Sequence, residues 1–268
     1  MSTGESNTSG ILTEMTLDDV RAFKAKVVVL PIGSTEPHGP HLPYGTDTFQ
    51  VEAVARQAVV NANEQGARTL MYPTLPISNN VNFQAFPFAC RVSVRTLMLT
   101  VLDIIEALEQ DGIRKVVLLN GHGGNTDTLK ATIREHVGRR RPGEGAFVCL
   151  AHSGSFMPKE SRNLIVHDSC HAGEDETSRM LYLRPDLVKS ERLDLFETQE
   201  PTIPELLEPG LYFVRPWDQF LPTGADGETR LASKDKGEAV TEEGAKGLAM
   251  FLAKLSAEPM HDHFPYPG

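Results

Sequence analysis

A chain of 268 residues, 40% of them hydrophobic, is long enough to bury one large core. Its 26 basic and 36 acidic residues leave a formal net charge of −10, which excludes the basic footprint of a nucleic-acid binder or of a protein held on an anionic membrane. No run approaches the ~18 apolar residues of a membrane span, and "MSTGESNTSG" lacks the basic start and apolar core of a signal peptide, so a cytoplasmic protein is expected, with inert thiols at Cys90, Cys149 and Cys170.

The first element is "KVVVLPIG" (Lys26 to Gly33), a β-branched run closed by turn residues, as in a strand buried on both faces. Directly after it, "LPIGSTEPHGPHLPYGTD" gathers Glu36, His38, His41 and Asp47 in a turn-rich stretch. Glu36 and His38 are two apart and so share one side of an extended backbone, and carboxylate with imidazole suits zinc, manganese or iron. Asp47 alone would read as a helix-start carboxylate satisfying free N–H groups; beside Glu36 and His38 it reads as a ligand. Val51, Val54, Ala55, Ala58 and Val59 then carry the apolar stripe of a helix.

Ala67 to Ser78 reads as a second strand, and Ser93 as the N-cap of a helix with Val94, Leu97, Met98, Val101, Leu102, Ile105 and Leu108 inward. Lys115 to His122 is a third strand. It ends in "NGHGGN" (Asn120 to Asn125), where glycines around His122 let a ligand or metal approach; a phosphate cradle competes, but the run fits neither G-x-G-x-x-G nor the P-loop. Asn125 is expected to cap a helix ending at Arg139, Arg140 and Arg141, cations at the favoured end of the dipole.

Gly145 to Gly154 is a fourth strand. "HAGEDETS" (His171 to Ser178) enters a helix; Glu174 and Asp175 read as acids complementing its dipole, whereas His171 and Glu176 read as functional once the other two clusters are counted. His136, His152 and His167 read as surface or core histidines, and His261 and His263 as part of a loose tail. Glu191 to Lys236, rich in Pro, Gly and charge and holding the sole tryptophan, Trp217, is expected to be a lid or an oligomer contact. Ala245, Leu248, Ala249, Leu252 and Leu255 face inward on a last helix. Strands alternating with helices predict a single α/β domain over residues 1–268, with a mostly parallel sheet covered on both sides and ligands collected at the carboxyl edge of its strands.

These three motifs, in this order on this alternation, resemble the creatininase (creatinine amidohydrolase) family from about Leu30 to about Leu255. The resemblance implies a three-layer α/β/α sandwich, a paired-metal hydrolytic site, a small-molecule substrate and a homohexamer. Motif by motif, Glu36, His38, Asp47 and His122 fall on metal-ligand positions, with Asp47 bridging two ions, and His171 matches the histidine that handles protons near the substrate. Creatininase has a further glutamate ligand two residues after the histidine of the second motif, where this chain has Gly124; Glu176 is the candidate to complete that second site, as ligand or as catalytic group. A second departure is "FQAFPFA", where Phe83, Phe88 and Ala89 are expected near the pocket and argue against creatinine itself. The implied chemistry is hydrolysis of a cyclic amide or formamide by water activated between two divalent ions, zinc, manganese or iron, with His171 protonating the departing nitrogen. A metal-dependent sugar or keto-acid isomerase and a non-catalytic small-ligand-binding protein on the same fold are the competing readings.

Overall fold

The computed structural model describes residues 8–141, 143–167 and 170–267. After a short helix α1 (Leu17–Phe23), strands and helices alternate: β1 (Val27–Ile32), α2 (Thr46–Glu64), β2 (Thr69–Met71), α3 (Val94–Gln110), β3 (Lys115–Asn120), α4 (Thr126–Gly138) and β4 (Phe147–His152). A one-turn helix α5 (Lys159–Arg162), α6 (Glu174–Leu183), a minimal antiparallel pair β5 (Leu195–Phe196) and β6 (Gly227–Glu228) with α7 (Trp217–Phe220) between them, and the long α8 (Lys234–Ala257) follow.

Strands β1 to β4 form a wholly parallel sheet in the order β2-β1-β3-β4. Period-two alternation sends Val27 and Val29 to one face, where they pack with Val51, Val54, Ala58, Leu248 and Leu252 of α2 and α8. Val28, Leu30 and Ile32 face the other way, against Leu97, Val101 and Ile105 of α3 and Leu129 of α4. The result is the expected three-layer α/β/α arrangement, in which each fully buried aliphatic side chain contributes roughly 1.5–3 kcal/mol. Chain order reverses about β1, which has β2 on one side and β3 on the other, so the carboxyl ends of β1 and β3 flank a topological switch point.

Several local expectations are corrected. The second strand is three residues long rather than running to Ser78, because Pro73 and Pro76 have no N–H for the ladder; Leu75 returns to the sheet as an isolated bridge to Ile32. The inward stripe of α3 begins at Leu97, since Val94 in the first turn stays 49% exposed. Asn125 does not cap α4 with its side chain, which instead donates to the Gly33 carbonyl oxygen at 3.1 Å. The arginines at the end of α4 also pair with carboxylates, Arg140 with Glu109 of α3 and Arg139 with Glu135 and Glu106. The tail is docked, with Phe264 edge-on to Phe147 at 5.0 Å.

Candidate metal centre

Two turns deliver the first two motifs. Gly121 N–H donates to the Ile32 carbonyl oxygen at 2.8 Å, so the chain leaves β1 and β3 side by side. At Gly33 a Cβ would lie 2.6 Å from the Cα of Thr48, a contact with backbone that only glycine avoids; this lets the first turn of α2, with Asp47, close over the strand end. Asn120 brackets the second turn, accepting from His122 N–H and donating to the His122 carbonyl oxygen. The third motif arrives with α6, tied to α2 by Gln50 Nε2, which donates to the Glu176 carbonyl oxygen at 3.1 Å.

The side chains of all three motifs converge. His122 Nδ1 lies 3.2 Å from Glu36 Oε1 and 3.1 Å from Asp47 Oδ2, and His38 Nε2 lies 3.2 Å from Asp47 Oδ1 and 3.6 Å from Glu176 Oε2. Asp47 thus turns one oxygen to each side. Three ligand-type triplets result: Glu36, Asp47 and His122; His38, Asp47 and Glu176; and Glu36, His38 and His171. Glu36, His38 and Asp47 are essentially buried, while the Glu176 side chain keeps 26% of its surface exposed. Beside Glu176 a cavity of about 430 Å³ opens, lined by Gln50, Gly121, His152, Arg162, Glu176 and Arg179.

Neighbouring groups fix each ligand atom. His38 Nδ1–H donates to the Glu36 carbonyl oxygen at 3.1 Å, which leaves its Nε2 lone pair for the centre. Ser34 Oγ donates to Glu36 Oε2 at 3.0 Å within a buried Ser34, Ser78 and Asn80 network, so Oε1 is the free oxygen. Glu176 Oε2 accepts the Ala172 N–H at 2.6 Å. His171 Nε2–H donates to the Pro37 carbonyl oxygen at 2.8 Å, and its Nδ1 faces Glu36 Oε1 at 3.7 Å.

The residues fit divalent ions on two observations. Glu36 Oε1 and Asp47 Oδ2 are buried and no well-aligned hydrogen bond satisfies them, the nearest nitrogen to both being the single His122 Nδ1, an arrangement a protein rarely leaves uncompensated. The donor atoms around them stand at separations expected of ligands ~2.1 Å from a common ion. Electrostatics agree. Burial disfavours a charged His38, yet the Asp47, Glu176 and Glu36 carboxylates outweigh it and raise its pKa to about 10. His122 is likewise raised well above its ordinary value against burial, by Glu36 and Asp47. Asp47 is held below the usual carboxylate range because His38 and His122 overcome its desolvation. Burial pushes Glu176 up to about 7, with His38 opposing. His171 goes the other way: burial and the nearby His38 hold it well below its ordinary value. Three carboxylates in one enclosed cluster thus draw positive charge, which protons on His38 and His122 supply when no metal is bound.

Of the other residues singled out, His41 stands outside the cluster: its Nε2–H donates to the Ala172 carbonyl oxygen and to Thr177 Oγ1, and burial lowers its pKa to about 4. Glu174 is more than a dipole partner. It is fully buried, accepts the N–H groups of Val166 and His167, and pairs with Lys236 Nζ at 2.5 Å. A side chain at position 124 would meet His122, since a Cβ there would lie 2.5 Å from Nε2. Phe83 is buried 5.3 Å from the His171 ring, as expected of a pocket residue, whereas Phe88 is corrected: a left-handed backbone, φ 57°, turns it outward to 89% exposure. Sequence reasoning did not bring Trp217 to the centre, yet its ring packs on His171 at 4.9 Å and on Phe83 at 4.6 Å. Burial raises the Cys149 thiol to about 11, and burial with Asp226 raises Cys170 to about 12, as expected of inert thiols.

A parallel α/β sandwich with carboxylates and histidines gathered at its switch point defines a class of α/β proteins with a candidate metal site at the sheet's carboxyl edge, and comparison narrows it. The creatininase family profile, described as creatinine amidohydrolase, matches residues 13–252, and the chain belongs to that family. A mycofactocin precursor peptide peptidase of Mycobacterium tuberculosis is 33% identical over 62% of this chain and 61% of its own length, so the chain spans less than two thirds of that relative. The creatinine amidohydrolase of Pseudomonas putida is 29% identical over 83% of this chain and 87% of its own, and the 3-dehydro-scyllo-inosose hydrolase of Thermotoga maritima 28% over 94% and 83%. Among solved structures, a Bacteroides fragilis protein assigned as a creatinine amidohydrolase superposes with a TM-score of 0.84 at 27% identity, covering 95% of this chain and 99% of that one. A manganese form of creatininase gives 0.78 at 26% identity over 93% and 99%, and a variant described as a Zn-Zn type gives 0.78 at 26% over 94% and 100%. Among the described residues no helix is long and apolar enough to cross a membrane.

Proposed function

We propose that the chain is a metal-dependent hydrolase of a carbon–nitrogen bond in a small amide. The observation that carries this is the meeting of three separate motifs around two buried carboxylate oxygens, Glu36 Oε1 and Asp47 Oδ2, that share His122 Nδ1 as their nearest nitrogen. Glu36, Asp47 and His122 would hold one divalent ion and His38, Asp47 and Glu176 a second, with Asp47 shared. When bound, such ions acidify a water and polarise a carbonyl, and nitrogen with oxygen ligands admits zinc, manganese or iron.

The chain's own groups then have definite tasks. The Pro37 carbonyl oxygen anchors Nε2–H of His171, and burial keeps the ring neutral, so the Nδ1 lone pair is the available base. Nδ1 takes one proton as water oxygen bonds to the carbonyl carbon, and returns it to the departing nitrogen as the C–N bond breaks, giving a carboxylic acid and an amine. Glu176, pushed up to about 7 and reached from the open cavity, orients the incoming water as well as closing the second ligand set. The Ala172 N–H holds its Oε2 for that role. Phe83 and Trp217 cover His171 and exclude bulk water from the proton it carries.

A second reading, hydrolysis of a keto-sugar, is favoured by the relation to the 3-dehydro-scyllo-inosose hydrolase over 94% of the chain. Steady-state assay of cyclic amides, formamides, short peptides and keto-sugars, with and without chelator, separates them. Chelator-sensitive release of amine supports the proposal; turnover of keto-sugars alone selects the second reading, and turnover indifferent to chelator overturns the metal dependence. A cytoplasmic homohexamer is part of the proposal, tested by light scattering and cell fractionation.

A further inference from the structure

On the His171 side of the centre lies a cavity of about 270 Å³, lined by Leu206, Leu207, Leu211, Phe213, Arg215 and Trp217 among others. Trp217 belongs both to this lining and to the centre, since its ring packs on His171. Its indole N–H is buried and meets no acceptor among the described residues. A buried donor is ordinarily satisfied by chain, water or ligand. Arg215 stacks its guanidinium 4.2 Å over the Phe220 ring, and among the described residues no carboxylate stands within ion-pair distance of it. Leucine and phenylalanine side chains, the unsatisfied indole N–H of Trp217 and a guanidinium without a carboxylate partner belong to the residues around one hollow: apolar surface for a side chain, a donor for a carbonyl, and a planar fork for a carboxylate.

Resting on the hydrolytic reading, we infer that this cavity is the leaving-group subsite and that it takes an apolar α-amino acid, so that the substrate class is N-acylated apolar amino acids or peptides ending in one. The direction follows from proton transfer: His171 delivers its proton to the departing nitrogen, so whatever that nitrogen carries extends toward the ring packed on His171. The amino-acid side chain enters among Leu206, Leu207, Leu211 and Phe213, the α-carboxylate pairs with Arg215, and Trp217 Nε1–H donates to a carboxylate or amide oxygen of the substrate. The polar cavity beside Glu176 is left for the acyl side. A ring the size of creatinine offers neither the side chain nor the carboxylate.

Because Trp217 is the only tryptophan, its emission reports the one indole that this cavity shares with the centre. Rapid mixing of the protein as purified with N-acetyl-leucine, N-acetyl-leucinamide and N-acetylglycine should give a saturable change for the first, and binding weaker by about tenfold or more for each of the others. Arg215→Met should weaken N-acetyl-leucine to the level of its amide while leaving the amide unchanged, and Arg215→Lys should recover part of the loss. Absence of a saturable change with any of the three, or equal weakening of acid and amide by Arg215→Met, overturns the subsite. Binding without hydrolysis would sink the hydrolytic reading for these compounds and leave the amino-acid pocket standing. Hydrolysis of other amides with Trp217 emission unmoved would do the reverse.

Discussion

Loading the metal-free protein with zinc or manganese should expel protons, and the number follows from the centre. At pH 7 His38, with a pKa of about 10, and His122, raised well above its ordinary value, each carry one proton on a nitrogen that must be bare to bind metal. Glu176, at about 7, is half protonated. His171 is neutral and contributes nothing. Two ions should therefore release about 2.5 protons at pH 7 and fewer at pH 9, where Glu176 is fully ionised and His38 still largely protonated. The sign is fixed: protons oppose metal, so the apparent affinity for the pair should climb with pH between 7.5 and 9, by about tenfold per unit from His38 alone and more steeply while His122 is also protonated. Calorimetric titration in two buffers of different ionisation enthalpy measures the count directly. Release near zero at pH 7 would mean that neither His38 nor His122 is a ligand, and the proposed centre would fall with it.

Without metal, stability should decline as pH rises, because His38 is raised in the folded chain relative to about 6.5 unfolded; its contribution is full below pH 6.5 and is lost toward pH 10. The raised Glu176 acts in the same sense between about 4.5 and 7, where the lowered His41 and His171 act in the opposite one, so the fall in Tm of the metal-free protein should be read from pH 7 to 9, and a flat profile there would contradict the assigned charges. Asp47→Asn should abolish uptake of both ions by elemental analysis, because its two oxygens face the two ligand sets, whereas His41→Ala should lower Tm but leave metal content intact; equal loss in both variants would refute the ligand assignment. His171→Ala should retain its metal and reduce turnover by on the order of 10² to 10⁴, with the deficit shrinking for better leaving groups. Loss of an ion in that variant would make His171 a ligand through its triplet with Glu36 and His38.

The centre was legible in sequence to the extent that its ligands are local. Glu36, His38 and Asp47 sit within one turn-rich stretch after a readable strand, and His122 stands in a glycine run after another, so residue type and spacing were enough to bring them together. Glu176 read as functional beside the other two clusters, but its place as a candidate ligand required the resemblance, because its approach to His38 depends on α6 docking against α2. What stayed hidden depends on partners distant in sequence. Glu174 looks like any acid in a first helical turn until Lys236, 62 residues away, reaches it. Trp217 lies in an aperiodic stretch that gives no hint of packing on His171. Asn125 has the right type and place for a cap, but the Gly33 carbonyl oxygen competes for its side chain, a contact between two loops that periodicity does not encode. Phe88 shows the opposite error: an aromatic beside a motif suggests a pocket, and one left-handed residue reverses its direction.

The pairing of Ile32 with Asn120 in the parallel register has a consequence for how such a protein can change. The two turns that bear Glu36 and His122 start from neighbouring rungs of a ladder made of backbone, so their spacing is inherited first from peptide geometry, with the Asn120 and Asn125 side chains holding the turns in place. Phe83, Arg215 and Trp217, by contrast, are carried on the segment after β2 and on the excursion around α7, outside that ladder. Substitution there can redraw which molecules are admitted while leaving the distance between the ligand-bearing turns untouched. On the proposed function, chemistry and selectivity are stored in largely separate parts of the chain, and a designer could exchange one without rebuilding the other.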